Sequence, residues 1–347
     1  MLMTRPVDAN FRLGLLFAIG SAVTFGMSGP FAKSLMEAGW SPTAAVTARL
    51  AGGAVVMAIF ATLMKPDWIR EARQHAKTVV LYGLIPIAGA QLFYYNAVAH
   101  LSVAVALLLE YTAPLLVVGW IWATTRRRPS NKTLAGVGLA VAGIMLVLNV
   151  LDGAHVNVAG VLWGLAAAVC AACYFLMSDE VTADGSGLNA ITLAAGGLVV
   201  GAAAVALIGV TGLMPLTFAT NDVVVAGFTT SWLVPVVILG IFPTAVAYAL
   251  GISGVARLRP SFASLVGLAE VLFAVLWAWL LVDEAMTVVQ AVGGTVVLAG
   301  LALARVGDKS VAVTAATWPD AGAIEAFTAP HRDWQKRVIR APQGSGR

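Results

Sequence analysis

Charge is scarce in this chain: 11% of its 347 residues are Asp, Glu, Lys or Arg, whereas 60% are hydrophobic. A soluble protein of this length needs more charge to stay dissolved, so the bilayer is the first solvent to consider. Cysteine is nearly absent. Cys170 and Cys173 form a C-x-x-C pair inside an apolar run, but no strand-to-helix context of a thioredoxin-like motif surrounds them, and they read as buried small side chains. The four histidines, His75, His100, His155 and His331, are scattered at loops or ends. There is no H-E-x-x-H, no phosphate-binding P-loop and no nucleophile elbow. The sequence therefore asks for no enzyme chemistry, no metal and no cofactor, and ATP-driven pumping would need another subunit. The formal charge of +4 suggests nucleic acid at first sight. The basic residues, however, lie mostly between apolar runs and in the tail, where they act as topology signals and leave no nucleic-acid stripe.

What the sequence has in abundance is long apolar runs. They fall at about 13–33, 43–64, 78–99, 101–123, 133–151, 158–178, 187–210, 232–252, 260–282 and 286–305. Each is near the roughly 20 residues that an α-helix needs to cross the hydrocarbon core, which predicts an all-α membrane protein of ten spans. The first run lacks a small-residue cleavage site after its apolar part and is read as helix one, not as a secretory signal. The join at His100 and Leu101 is tight, and only charge and repeat arguments separate helices three and four.

Arg5 and Arg12 precede helix one; Lys65, Arg70, Arg73 and Lys77 lie in the second loop; Arg126, Arg127, Arg128 and Lys132 lie in the fourth. The positive-inside bias makes these loops and both termini cytoplasmic. The loops around Glu37, Asp152 and Asp283–Glu284 are poor in Lys and Arg and fit the outside. Asp179, Glu180 and Asp184 make the sixth loop acidic although the count puts it inside, and acidic residues weigh little in this rule. The tail, 306–347, loses the apolar pattern and reads as a disordered cytoplasmic segment, with a short surface helix near Trp334–Ile339.

The second half echoes the first at a shift of 157 residues. Trp120 and Trp122 match Trp277 and Trp279, Gly136 matches Gly293, Ala142 matches Ala299, and Gly143 matches Gly300. Each half, 13–151 and 158–305, holds five spans. An odd number forces the second half to enter the membrane the other way round, giving an inverted repeat with the substrate site between the halves and alternating access as its consequence.

Several segments resemble the drug/metabolite transporter superfamily and, within it, the EamA-type ten-helix carriers. They are Leu107–Leu116 (LLLEYTAPLL), Gly136–Gly143, Phe242–Leu250 (FPTAVAYAL) and Arg257–Gly300. The resemblance covers nearly all of 13–305 and is strongest toward threonine and homoserine exporters and uncharacterised relatives. It implies a transporter of small metabolites. The chain departs from the family in having Arg127 where a Glu is common, although Glu284 keeps the matching acid. It also has Val271 where a Pro often follows the acid of helix nine.

Carboxylates at mid-span are expensive unless they face a polar cavity or a partner, which singles out Glu110 in helix four and Glu270 in helix nine. Under the repeat, Glu270 corresponds to Ala113, one turn from Glu110, so the two acids project toward a common axis from opposite halves. They are expected to bind a substrate amino group or to exchange a proton. The bland alternative is a neutral, hydrogen-bonded acid between helices, as low dielectric favours. Tyr111 and Tyr248 are the stronger cavity candidates among polar aromatics, joined by Tyr94, Gln91 and Tyr174; Tyr95 and Asn96 fit interfacial anchoring or an interhelical bond. Arg49 either snorkels outward or attracts a substrate carboxylate, which with the acids would suit a zwitterion. Pro30, Pro114 and Pro243 are expected hinges. Gly160 with Gly164 and Gly197 with Gly201 form G-x-x-x-G spacings, whose default meaning is close packing, with a homodimer left open.

The reading is a secondary transporter exporting small polar metabolites, amino acids or related compounds, with proton coupling compatible but not demanded. A multidrug exporter of quaternary cations is the nearest rival. A non-transporting channel or scaffold is the rival of another class.

Overall fold

The computed structural model describes residues 9–126, 128–148, 157–178, 188–255 and 268–307. Lipid offers no hydrogen bonds to the backbone, so uncharged apolar runs close their polar groups internally as helices. Fifteen α-helices are present among the described residues: α1 (Ala9–Gly26), α2 (Ser28–Glu37), α3 (Pro42–Met64), α4 (Trp68–Gln74), α5 (Ala76–Tyr82), α6 (Ala90–Val98), α7 (Val103–Glu110), α8 (Ala113–Thr125), α9 (Asn131–Val147), α10 (Val158–Ser178), α11 (Ala190–Val210), α12 (Leu233–Gly240), α13 (Ala247–Val255), α14 (Ala269–Val282) and α15 (Val288–Gly307). A π-helical stretch, Gly83–Gly89, joins α5 to α6, and another, Ile241–Val246, joins α12 to α13. β1 (Val223–Val225) and β2 (Phe228–Thr230) pair antiparallel with Val223 opposite Thr230.

Taken across their breaks, these elements make six stretches long and apolar enough to cross a bilayer: Arg12–Glu37, Pro42–Met64, Ala76–Val98, Val103–Thr124, Ile191–Val210 and Leu233–Gly251. Four shorter apolar helices accompany them: Asn131–Val147, Val158–Cys173, Ala269–Val282 and Val288–Ala304. Local capping fixes several starts. The Ser41, Ser102 and Ser130 hydroxyls and the Asn189 amide accept backbone N–H groups at the starts of α3, α7, α9 and α11. The Ser102 cap is what separates helices three and four. Large apolar side chains such as Leu16, Leu63 and Val210 face outward, while Arg49, Gln91 and Thr244 are buried. That distribution inverts the soluble pattern and suits lipid.

Proline shapes the interruptions, because it lacks the N–H that an α-helix needs and crowds the preceding turn. Helix one breaks at Met27, before Pro30; helix four breaks at Tyr111–Thr112, before Pro114. Pro243 lies in the second π stretch. The expected kinks are thus two outright breaks and one π stretch. Pro86, not anticipated, lies in the first π stretch, 157 positions before Pro243.

The hairpin and its flanks cover one end of the molecule. Thr217 and Ser41 exchange two bonds at 3.0 Å, Trp40 Nε1 donates to Ala219 O at 2.7 Å, and Ala226 N donates to Leu281 O at 2.7 Å. Trp40 also packs edge-on against Phe218, with ring centroids 5.1 Å apart. Glu284 ties the same end together, pairing with Lys33 at 2.6 Å and accepting the Val103 N–H of α7 at 3.0 Å. At the opposite end Glu71 accepts bonds from Lys65, the Thr192 hydroxyl and Asn189 N, joining the α3–α4 connection to the start of α11.

α9 and α15 pack antiparallel through glycine. A Cβ on Gly136 would lie 2.6 Å from Gly300 O, and one on Gly143 would lie 2.8 Å from Gly293 O. Each glycine thus faces the residue 157 positions beyond the other. The two G-x-x-x-G pairs are also used inside the chain, Gly160 and Gly164 against Leu101 and Leu109, Gly197 and Gly201 against Tyr82 and Ile87, so they lend no support to a homodimer. The acidic sixth loop, Arg127 and the tail beyond residue 307, with the helix expected near Trp334–Ile339, lie outside the described residues.

Gly143→Ile is expected to force α9 and α15 apart, at a cost of about 1–3 kcal/mol from overpacking, read as a lower melting temperature in detergent. A variant that melts with the parent would show that the helices do not depend on this approach. For Glu71, burial acts to raise the carboxyl, but bonds from Lys65, Thr192 and Asn189 outweigh it and hold it below its ordinary value of 4.5. A lowered folded-state value means stabilisation at neutral pH that fades as the pH falls through that value. Between neutral pH and about pH 3.5 the parent should therefore lose more thermal stability than Glu71→Gln; equal losses would remove Glu71 from the acid response.

Candidate functional site

The candidate residues converge where helix breaks expose polar groups. Glu110 is the last residue of α7, at the edge of the break before Pro114, and Glu270 lies in the first turn of α14. Both are half-buried. Tyr111, at the break itself, donates its hydroxyl to Glu270 Oε2 at 2.8 Å, spanning 159 residues of sequence. Glu110 and Glu270 lie within each other's electrostatic reach, and Arg49 and Tyr94 share that field.

Arg49 is 2% exposed. Its Nη1 donates to Ser28 Oγ at the start of α2, to Gln91 Oε1 in α6, and at 3.3 Å to the Tyr95 hydroxyl. Nε donates to Thr244 Oγ1 at 3.2 Å and Nη2 to Pro243 O at 3.0 Å, both in the second π stretch. The guanidinium carbon lies 5.6 Å from the Tyr95 ring centroid. Snorkelling is therefore overturned: the side chain is buried and finds five acceptors inside. None of the five is a carboxylate.

The π stretch explains part of this cage. Pro243 cannot donate to Leu239 O, and the Thr244 hydroxyl does so instead at 2.8 Å while accepting from Arg49. For Tyr95 the structure decides between the two alternatives, an interfacial anchor and an interhelical bond. Tyr95 is fully buried and shares a 3.1 Å bond with Ser28 Oγ, so it is an interhelical contact and no interfacial anchor. Asn96 donates to Leu92 O at 2.7 Å within its own helix.

Tyr94 is buried, and its hydroxyl occupies the space a side chain on Gly29 would need: a Cβ there would be 2.4 Å away. Gln91 and Tyr248, 157 positions apart, follow the two π stretches, but only Gln91 is bonded to Arg49. Tyr248 is buried and packs edge-on against Phe25, with centroids 5.3 Å apart. Tyr174 is carried by α10, and its side chain lies outside the description. Sequence reasoning missed Ser28, Thr244 and the inward role of Tyr95. A hydroxyl one or two residues from a proline in an apolar run was the available signal for the first two.

This arrangement can attract a cationic group to the acids and an anionic group to Arg49, and the breaks give the helices places to bend. Residues 12–149 and again 158–306 match the EamA-like transporter family. Among curated relatives, the threonine/homoserine exporter RhtA of Salmonella typhimurium strain SL1344 is 30% identical over 52% of this chain and 57% of its own length. The exporter of the same name in Escherichia coli K12 is 31% identical over 44% and 48%. The chain thus spans about half the length of these exporters. An uncharacterised transporter of Archaeoglobus fulgidus is 27% identical over 76% of this chain and 91% of its own. A crystal structure sharing 21% identity superposes with a TM-score of 0.56 over 84% of this chain and 96% of the other, a likeness of fold alone.

Proposed function

Because the chain belongs to the EamA-like transporter family, we propose that it is an alternating-access secondary transporter that exports small polar metabolites bearing an amino group, amino acids among them. The observation that carries this is the Tyr111–Glu270 bond, which joins helix four to helix nine and sets Glu270 in the field of Glu110. Carboxyls within membrane spans are costly and mark ion, proton or substrate paths, and in this reading a substrate ammonium is the cation they bind. Export and the amino-acid class draw support from the exporter relatives at about 30% identity.

Ten spans arranged as two inverted five-helix halves, 13–151 and 158–305, supply the motion. Four features recur 157 positions apart in support: prolines in π stretches at Pro86 and Pro243, left-handed caps at Arg126 and Asp283, restarts of helix at Ala113 and Ala269 to within one residue, and the reciprocal glycine contacts of α9 and α15. With an inverted pair, rocking one half against the other exposes the acids to alternate sides. The arginine-rich turns then face the cytoplasm with both termini, and the hairpin end, closed by Lys33, Glu284 and Trp40, faces outward.

The test is efflux from proteoliposomes holding the full chain and loaded with labelled threonine. Glu110→Gln and Glu270→Gln are each expected to cut the rate by at least about tenfold, about the loss of one charge-assisted hydrogen bond, and to flatten its pH profile. Variants that transport with the parent's rate and pH profile would sink the role of the acids.

A further inference from the structure

Arg49 poses a question that the acids leave open. A buried guanidinium is ordinarily retained with a carboxylate beside it, because neutral dipoles repay its lost hydration less well. Here every acceptor is neutral: Ser28, Gln91, Tyr95, Thr244 and the Pro243 carbonyl. Glu110 and Glu270 act on Arg49 through space and are not bonded to it among the described residues. The cage thus supplies five neutral acceptors and no opposite charge at bonding distance among the described residues.

Resting on the transport reading above, we propose that Arg49 is the subsite for a substrate carboxylate, and that the Gln91 amide holds that position until the carboxylate displaces it. Gln91 is the exchangeable member. Pro243 O belongs to the backbone, Thr244 is committed to Leu239 O, and Ser28 and Tyr95 are bonded to each other. The amide can swing away on its own rotamers without breaking a second bond of the cage, whereas moving Ser28, Tyr95 or Thr244 would break one and moving Pro243 O would shift the backbone. A carboxylate accepts bidentately from guanidinium and binds it roughly twice as strongly as a neutral oxygen, so the exchange is favourable once the substrate ammonium is held by the acids. The site then selects zwitterions, and an amine without a carboxylate lacks the group that completes the cage.

Gln91 becomes a specificity residue with an unusual test. Gln91→Glu keeps the shape and supplies a permanent carboxylate to Arg49, occupying the subsite from within. The probes are labelled threonine and 1-amino-2-propanol, its counterpart without the carboxyl group, measured in proteoliposomes of full-length protein whose folding is checked by melting temperature. The parent is expected to prefer threonine by roughly tenfold in KM, the worth of a charge-assisted over a neutral bond. Gln91→Glu should reverse that order, with Gln91→Asn retaining the parent's preference.

If the parent moves both compounds equally well, transport stands and the carboxylate subsite falls. The same holds if Gln91→Glu leaves the ratio of the two KM values unchanged, since a purely structural Gln91 would depress both alike. If the parent moves neither, the amino-acid reading falls and takes the subsite with it.

Discussion

A charge placed in an apolar interior has to find its hydrogen-bond partners within reach, and the position of Arg49 shows how much architecture that requires. Its guanidinium draws on α2, on α6 and on the π stretch before α13, while its own backbone belongs to α3. Four apolar stretches therefore meet at one side chain. The meeting is workable because Pro243 interrupts its helix and Thr244 repairs the lost bond while offering an oxygen to Arg49. The defect in one helix becomes the acceptor for another.

The same logic extends across the molecule. Prolines open helices one, three, four and eight, and polar side chains gather beside the openings: Ser28 next to Pro30, Gln91 beyond Pro86, Glu110 and Tyr111 before Pro114. Irregular backbone in a membrane is tolerated where protein or water satisfies it, so breaks and polar groups support one another. The glycine-lined seam of α9 and α15 is different in kind. Its backbones approach closely and it carries no charge among the described residues apart from its ends.

Contacts at the two ends differ as well. Glu284 binds one lysine and one helix N-terminus, where the aligned peptide dipoles favour a carboxylate. Glu71 likewise bonds at the start of α11. Glu284 is supplied by the turn before α15 and Glu71 by the short helix α4, and both reach into the opposite half of the chain. In the alternating-access cycle proposed above, these are the contacts that would close one end and be undone to open it.

Composition and periodicity determined a good deal by themselves. The scarcity of charge and the lengths of the apolar runs fixed a helical membrane protein, since lipid excludes any open alternative, and the 157-residue echo located matching positions before any coordinates. Mid-span carboxylates were legible for the same reason: a charge in lipid is costly, so Glu110 and Glu270 stood out in the bare sequence. Tertiary structure decided what those residues touch. That Arg49 turns inward, that Tyr95 is buried beside it and that Thr244 links it to a broken helix depend on which helices neighbour one another. Spacing along a chain sets which residues share a helix face; only packing sets what that face meets.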